Sequence, residues 1–293
     1  MPAIPEGGAP GGYDLELQDV TKVFVRRGRR PLTAVSEVSL TVAAGEFVCL
    51  IGPSGCGKST LLSLVAGLAE PTSGSVRFRG EPVSGTDPQR GMLFQSPALF
   101  PWLTVYDNVM FGPRAQGKRG EDVSGAAREL LQSVGLGNFG DAYPKELSGG
   151  MRHRAAFARA LINQPAVLLL DEPFAALDAI TRTSMQQLLL DIWAQFRTSV
   201  VFVTHDVGEA TLLGDRVVLM SPGPGRIHSV LDNPIDREAR RDIDSPEMSA
   251  LRRKLRSDLA DVMNSSAPAG AQLGTQAGSQ AGAHIGTQGG RGA

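Results

Sequence analysis

The sequence predicts an α/β fold with a mostly parallel core sheet, an antiparallel β-subdomain ahead of it and an α-helical subdomain inserted within it. Three observations carry this expectation. Short continuous apolar runs, at 47–51, 166–170 and 199–203, have the pattern of strands buried on both faces. They alternate with stretches of helical spacing, which implies crossover connections and hence parallel strands. Before them lie alternating segments ending in turn residues, and between Ser96 and Pro165 the character becomes helical.

In chain order, residues 1–12 are rich in Gly and Pro and are expected to be disordered. "YDLELQDVTKVFV" and "AVSEVSLTVAAGEFVCLIG" read as strands, the second ending in the buried run Phe47–Ile51. Next comes "GPSGCGKST", which matches G-x-x-x-x-G-K-[ST] at Gly52, Gly57, Lys58 and Ser59. Leu61, Leu62, Leu64, Val65 and Leu68 follow at helical spacing, with Glu70 and Pro71 expected to close the helix.

Strand, glycine-rich loop and helix together form an anion cradle. Glycines let successive backbone N–H groups point inward, and the positive end of the helix adds to them. Lys58 would reach outer phosphates and the Ser59 hydroxyl would join a magnesium shell. The alternative, a glycine-rich turn with a solvated lysine, does not account for the flanking strand and helix.

"GSVRFRGEPV" adds a further strand, and "SGAARELLQSVGL" and "SGGMRHRAAFARALINQP" read as helices. The strand at 166–170 ends in Asp171 and Glu172. In the helix after it, Met185, Leu188, Leu189, Ile192, Trp193 and Phe196 share a core-facing side. "RVVLMSPGPGRIHSVL" reads as two strands around a Pro-Gly turn. Ser245 and Pro246 open a last helix with Met248, Leu251, Leu255, Leu259 and Val262 on one stripe, and Arg252, Arg253, Lys254 and Arg256 on a solvated face. Residues 264–293 lack apolar periodicity and are expected to be disordered.

The 293 residues carry a formal net charge of −1, without the basic excess of a general nucleic-acid binder. The two cysteines, Cys49 and Cys56, fall in the buried strand and the phosphate loop and are expected to be reduced thiols of a cytosolic protein. No stretch approaches the roughly 20 apolar residues of a membrane span, and the start lacks the charge and apolar core of a signal peptide. The chain is therefore expected neither to cross nor to enter a membrane alone.

Two further segments carry chemistry. Asp171 and Glu172 place adjacent carboxylates at a strand end, where one can hold magnesium and the other can orient or deprotonate water. Ser148, Gly149 and Gly150 open a helix with a small hydroxyl and bare backbone, a second phosphate site by the helix N-terminus argument.

"ELSGGMRHRAAFARAL" resembles the signature of ATP-binding cassette (ABC) ATPases, and the other motifs of that family appear in order between Tyr13 and Leu231. The resemblance implies a P-loop NTPase cassette at 13–240, with its helical signature subdomain at about 96–165 and a helical extension at 241–263. It implies ATP and Mg2+ as ligands. Phe24 would face adenine, and Gly52, Pro53, Ser54, Gly55, Cys56, Gly57, Lys58, Ser59 and Thr60 would wrap the phosphates. Ser148, Gly149, Gly150 and Asp178 would act across a head-to-tail homodimer. Ser59, Gln95 and Asp171 would arrange magnesium. Glu172 would be the base or water-positioner, with Lys58, Gln95 and His205 beside the transferred phosphoryl group. Met151 stands where the family signature has glutamine, and His153 where many members have glutamine.

"LFPWLTVYDNV", "DAITR", "LLLDIW" and "SPGPGRI" resemble the subgroup that energises nitrate, sulfonate, taurine and bicarbonate-type import. That implies a peripheral subunit on the cytoplasmic face of the membrane, bound to permease subunits and served indirectly by an extracytoplasmic solute-binding protein, with no nucleic-acid partner. The alternatives are an exporter and a non-transport ABC ATPase of DNA repair or translation. The second typically brings coiled coils, zinc insertions or two cassettes, and the sequence has none of these. Trp102 reads equally as a core residue or as part of a permease-docking surface around Gln95.

Overall fold

In the computed structural model, which describes residues 12–25, 28, 30–196 and 198–264, two sheets share the work of the fold. β1 (Tyr13–Phe24), β2 (Leu32–Ala43), β4 (Ser73–Phe78) and β5 (Glu81–Pro82) form an antiparallel sheet in the order β2-β1-β4-β5. β3 (Phe47–Ile51), β6 (Arg90–Leu93), β7 (Val167–Asp171), β8 (Ser199–Val203), β9 (Arg216–Met220) and β10 (Ile227–Asp232) form the other, in the order β10-β9-β3-β8-β7-β6. All its pairs are parallel except β10 with β9. The expected α/β class, antiparallel first and mostly parallel after, is what the chain adopts.

Why the central strands read as unbroken apolar runs is visible in how they divide their side chains. Phe47, Cys49, Ile51, Leu168, Leu170, Val200, Phe202, Val217 and Leu219 join one core, while Val48, Leu50, Val167, Leu169, Val201, Val203, Val218 and Met220 join the other. Period-two alternation is present, but both faces are covered, so both sets are apolar. The second core lies under the antiparallel sheet and α1 (Lys58–Val65). The first lies under α2 (Val105–Ala115), α3 (Glu121–Ser133), α4 (Gly149–Leu161), α5 (Ala179–Phe196), α6 (Val207–Leu213) and α7 (Pro246–Asn264). Helices α2 to α4 fall between β6 and β7, where helical character was expected.

The α1 helix corrects the sequence reading. It ends at Val65 rather than at Glu70, and Leu68 is exposed beyond it. Gly67 takes φ +75 and donates to Leu64 O at 3.1 Å, closing the helix with a left-handed turn. A Cβ there would lie 1.8 Å from Gly85 O, so the turn is also where the following hairpin crosses. Two domain limits shift as well. Gly12 accepts from Ala44 N at 3.0 Å and so belongs to the folded part, and Asn264 is the last residue of α7. The other residues of the two expected disordered ends, 1–11 and 265–293, lie outside the described residues.

The segment after β10 is tied back to the core. Arg240 donates to Gly214 O (2.9 Å), Ile235 O (2.8 Å) and Asp215 Oδ1 (3.2 Å). Arg237 pairs with Asp215 and stacks 3.8 Å over Trp193. Ser245 then caps α7 by accepting from Met248 N, and Met248, Leu255 and Val262 are buried as the stripe requires. Arg253, Lys254 and Arg256 are exposed.

Candidate functional site

The carboxyl ends of β3, β8 and β7 lie side by side, because β8 pairs with both neighbours in parallel register. Whatever follows each strand is therefore gathered at one edge of the sheet, the usual place for a ligand in an open α/β sheet. The phosphate loop follows β3, Thr204 and His205 follow β8, and Asp171 and Glu172 finish β7. β6 lies beyond β7 with Leu93 opposite Leu170, so exposed Gln95 emerges at the same edge, two residues later.

Within the loop, Gly57 sits at φ +95 directly before α1, and a Cβ on it would lie 2.4 Å from Val35 Cγ1 and 2.7 Å from Ala34 O. Only glycine fits. Lys58 is buried, and its Nζ donates to Gly52 O at 2.8 Å and Pro53 O at 3.1 Å, so the ammonium is held inside the ring of the loop. Cys56 is fully buried, with Sγ 3.6 Å from Lys58 Nζ, and both cysteines are free thiols. Ser54 and Gly55 are exposed at the mouth.

An open cleft of about 700 Å³ runs along this loop, lined among others by Phe24, Lys58, Ser59, Thr60 and Glu172. Phe24 presents a half-exposed ring, with Lys22 Nζ 5.3 Å from its centroid and exposed Leu32 paired beside it. The cleft therefore carries an exposed aromatic ring and a cationic loop, a combination that suits a molecule with a flat base and a polyanionic tail. Gly223 and Pro224 of the β9–β10 turn also line it, with Gly223 beside Gly55. That turn is docked on β2 by Ser36 N to Gly225 O (2.9 Å) and Gly225 N to Ala34 O (3.0 Å). Sequence reading identified the turn but not its place in the cleft, since nearly 200 residues separate it from Phe24 and no local pattern reports the docking.

The two adjacent acids diverge. Asp171 is in extended backbone, and its Oδ1 accepts from Ser59 Oγ at 3.0 Å. Burial chiefly pushes its pKa up, with neighbouring Glu172 also raising it, against the Ser59 bond and Lys58. Such a carboxylate gains from a cation. A hydroxyl and a carboxylate in contact beside an ammonium suit magnesium, which takes oxygen ligands and keeps several waters. The residues present therefore fit the ion. Glu172 has φ +45 and donates its N–H to Val203 O at 3.0 Å. Its Oε2 meets His205 Nδ1 at 3.3 Å, and His205 is largely exposed.

Ser148, Gly149 and Gly150 are not part of the cleft lining. They form the exposed start of α4, where Ser148 Oγ accepts from Met151 N at 3.2 Å as an N-cap. Beside them stands Asp178, whose Oδ1 accepts from Thr181 N (3.0 Å) and Oδ2 from Thr181 Oγ1 (2.7 Å). These bonds hold its pKa below the usual carboxylate range. A Cβ on Gly150 would lie 2.7 Å from Thr181 Cγ2, so the Asp178 turn and the α4 terminus are one surface. Thr181 itself was not among the residues singled out from sequence. Met151 packs against the core. His153 is buried within α4, its Nδ1 without a hydrogen-bond partner among the described residues, and burial chiefly, with Arg152, lowers its pKa.

Trp102 proves exposed, at 70%, on a loop that is nonetheless rigid. Buried Asn108 accepts from Phe100 N (2.8 Å) and donates to Phe100 O (3.1 Å), Leu103 O (3.1 Å) and Thr104 O (2.9 Å). Arg159 donates to Ala98 O at 2.8 Å and lies 5.4 Å from the Phe100 ring centroid. Phe100 in turn stacks with Trp102 and Phe111, at 5.5 and 4.5 Å. Exposed aromatics on a fixed scaffold mark an interaction surface.

A model of the ABC transporter family matches residues 35–175. The chain is 42% identical over 246 residues to the taurine import ATP-binding protein TauB of Jannaschia sp., covering 82% of this chain and 92% of that protein. It is 48% identical over 217 residues to the nitrate import ATP-binding protein NrtD of Synechocystis sp., covering 74% and 81%. Among solved structures, the dimeric ATP-binding cassette MJ0796 in a post-hydrolysis state with ADP and Pi superposes with a TM-score of 0.67 at 33% identity, covering 76% of this chain and 100% of that one.

Proposed function

The chain belongs to the ABC transporter family of ATP-binding subunits, and on that premise we propose that it binds and hydrolyses ATP as a head-to-tail homodimer that powers import of a small anion through a membrane permease. The observation that carries this reading is the spatial separation of two anion sites. The phosphate loop with Lys58, Ser59, Asp171, Glu172 and His205 forms one edge of the sheet, while Ser148–Gly150 and Asp178 form another, exposed surface. A single chain cannot close both on one nucleotide, and two chains related by a twofold axis can.

Within one site we assign the roles that the family resemblance implies. Phe24 takes the base. The loop N–H groups and Lys58, once released from Gly52 O and Pro53 O, take the phosphates. Ser59 and Asp171 hold magnesium, with Gln95 at the same edge; when bound, the ion neutralises the phosphate charge that grows during transfer. Glu172 orients or deprotonates the attacking water, and His205, already 3.3 Å from Glu172, faces the terminal phosphate. From the partner, Ser148 and the α4 N-terminus complete the shell around that phosphate, so closure depends on it and hydrolysis releases it.

The relatives named for taurine and nitrate import support a sulfonate or nitrate-type anion as cargo and a peripheral position on the cytoplasmic face of the membrane. No helix among the described residues is long and apolar enough to cross a membrane, and the membrane permease enters this reading as a partner. The rigid Phe100–Trp102–Phe111 surface supports docking of that permease, and an extracytoplasmic solute-binding protein would deliver the cargo to it. In domain terms, the cassette would span 12–240, with the helical insertion at about 96–165 presenting both α4 and the aromatic loop, and 241–264 as an extension packed on the same core.

Reconstitution tests the reading. ATP hydrolysis stimulated by a co-purified permease and its loaded binding protein is expected. Hydrolysis with no membrane partner recovered from gently solubilised source membranes would overturn the transport role and leave the ATPase chemistry standing.

A further inference from the structure

Building on the assignment of His205 to the terminal phosphate, we infer that Glu209 is a positioning residue. Through Thr204 it fixes the loop that presents His205, and it ties that loop to α5, the helix that begins beside Asp178.

Thr204 and Glu209 are both buried, and neither was singled out by any sequence motif. Thr204 Oγ1 donates to Glu209 Oε2 at 2.5 Å and accepts from Asp206 N at 3.0 Å. A hydroxyl has one proton to give. With that proton given to Glu209 Oε2, the Thr204 lone pairs are left for the Asp206 N–H. The residues on either side of His205 are thereby joined through one side chain. Asp206 is pinned further by accepting from Gly208 N (2.6 Å) and Glu209 N (3.2 Å) as the cap of α6. His205 is left as the exposed centre of a loop whose two neighbours are hydrogen-bonded to each other and to α6.

The other oxygen of Glu209 looks the opposite way. Oε1 accepts from Gln186 Nε2 of α5 at 3.4 Å. Arg182, one turn earlier on α5, attracts the carboxylate and donates its Nη2 to Leu177 O at 2.9 Å, next to Asp178. Cys49 of β3 also faces the group.

Stability alone does not explain a carboxylate here. Burial chiefly raises its pKa, with Asp206 adding to the rise, so the ionised form costs the fold more than a neutral amide of the same shape would. What the side chain supplies is an acceptor oxygen held against the Thr204 hydroxyl.

The test is steady-state ATP hydrolysis and melting of the full-length protein with Glu209→Ala, Glu209→Gln, Thr204→Val and His205→Ala. In Glu209→Ala and Thr204→Val, kcat is expected to fall roughly five- to tenfold, the equivalent of one lost hydrogen bond, with KM for ATP within about twofold of wild type. Glu209→Gln, whose amide oxygen can accept the same proton, is expected to restore most of the rate. The double variant Glu209→Ala/Thr204→Val should be no slower than the slower single one, because both break one chain. If Glu209→Ala does not fold, the nearly isosteric Thr204→Val and Glu209→Gln carry the comparison. Wild-type kcat in folded Thr204→Val, or a rise in KM that accounts for the whole loss, overturns the inference. His205→Ala separates the two levels: if it stops turnover while Thr204→Val does not, only the positioning role falls; if it turns over normally, the His205 assignment falls with it.

Discussion

Asp171 and Glu172 are adjacent in the chain, and only the second takes a positive φ. The left-handed turn costs about 1 kcal/mol or more for a side chain of this kind, and the Glu172 carboxylate lies against His205. Glu172→Gln is therefore expected to keep ATP binding and lose turnover about a hundredfold or more, read by phosphate release beside nucleotide binding; normal turnover would remove Glu172 from the role. Gly57→Ala tests the loop itself. Its Cβ has nowhere to go between Val35 and Ala34, so both melting temperature and nucleotide affinity should drop. Glu209 offers a pH test of stability. A carboxylate whose folded pKa is raised contributes stability that is fully present below its unfolded pKa and lost as pH climbs through the folded one. The melting temperature of Glu209→Gln relative to wild type should thus grow between about pH 4 and neutrality, and a constant difference would contradict the raised pKa.

Among the elements, α7 and the aromatic loop test different kinds of support. Leu255 is fully buried in the core that α6 and β3 share, so Leu255→Ala should cost about 2–5 kcal/mol, measured by denaturant unfolding. A value near zero would mean that α7 is not part of the cooperative unit. The loop carrying Trp102 is held by Asn108 and Arg159 rather than by Trp102 itself. Trp102→Ala should accordingly leave the melting temperature unchanged and weaken capture of the permease, and retained capture would move the docking surface elsewhere.

At the scale of the whole molecule, the head-to-tail reading makes the chain half of two sites. The residues that line the cleft do not include Ser148, Gly149 or Gly150. ATP with Glu172→Gln should therefore convert monomer to dimer in light scattering. Ser148→Arg, which puts a bulky cation at the exposed α4 terminus, should prevent this without preventing nucleotide binding. Dimer formation by that variant would sink the head-to-tail arrangement.

By itself the sequence determined the strands of the core, because side chains buried on both faces must be apolar throughout. It also determined the phosphate loop and the acid pair, because that chemistry demands residue types at fixed spacing along a few neighbouring positions. The stripes of α5 and α7 were equally local and equally legible. Only the tertiary structure decided the short edge strand β6, the end of α1 at Gly67, the exposure of Trp102, the Gly223–Pro224 wall and the contact of Glu209 with Thr204. Each of these depends on what another part of the fold places beside it, by close backbone approach, by a clasping side chain or by burial. Such contacts leave no periodicity in the chain, since the energy that selects them arises only once the distant segments have met.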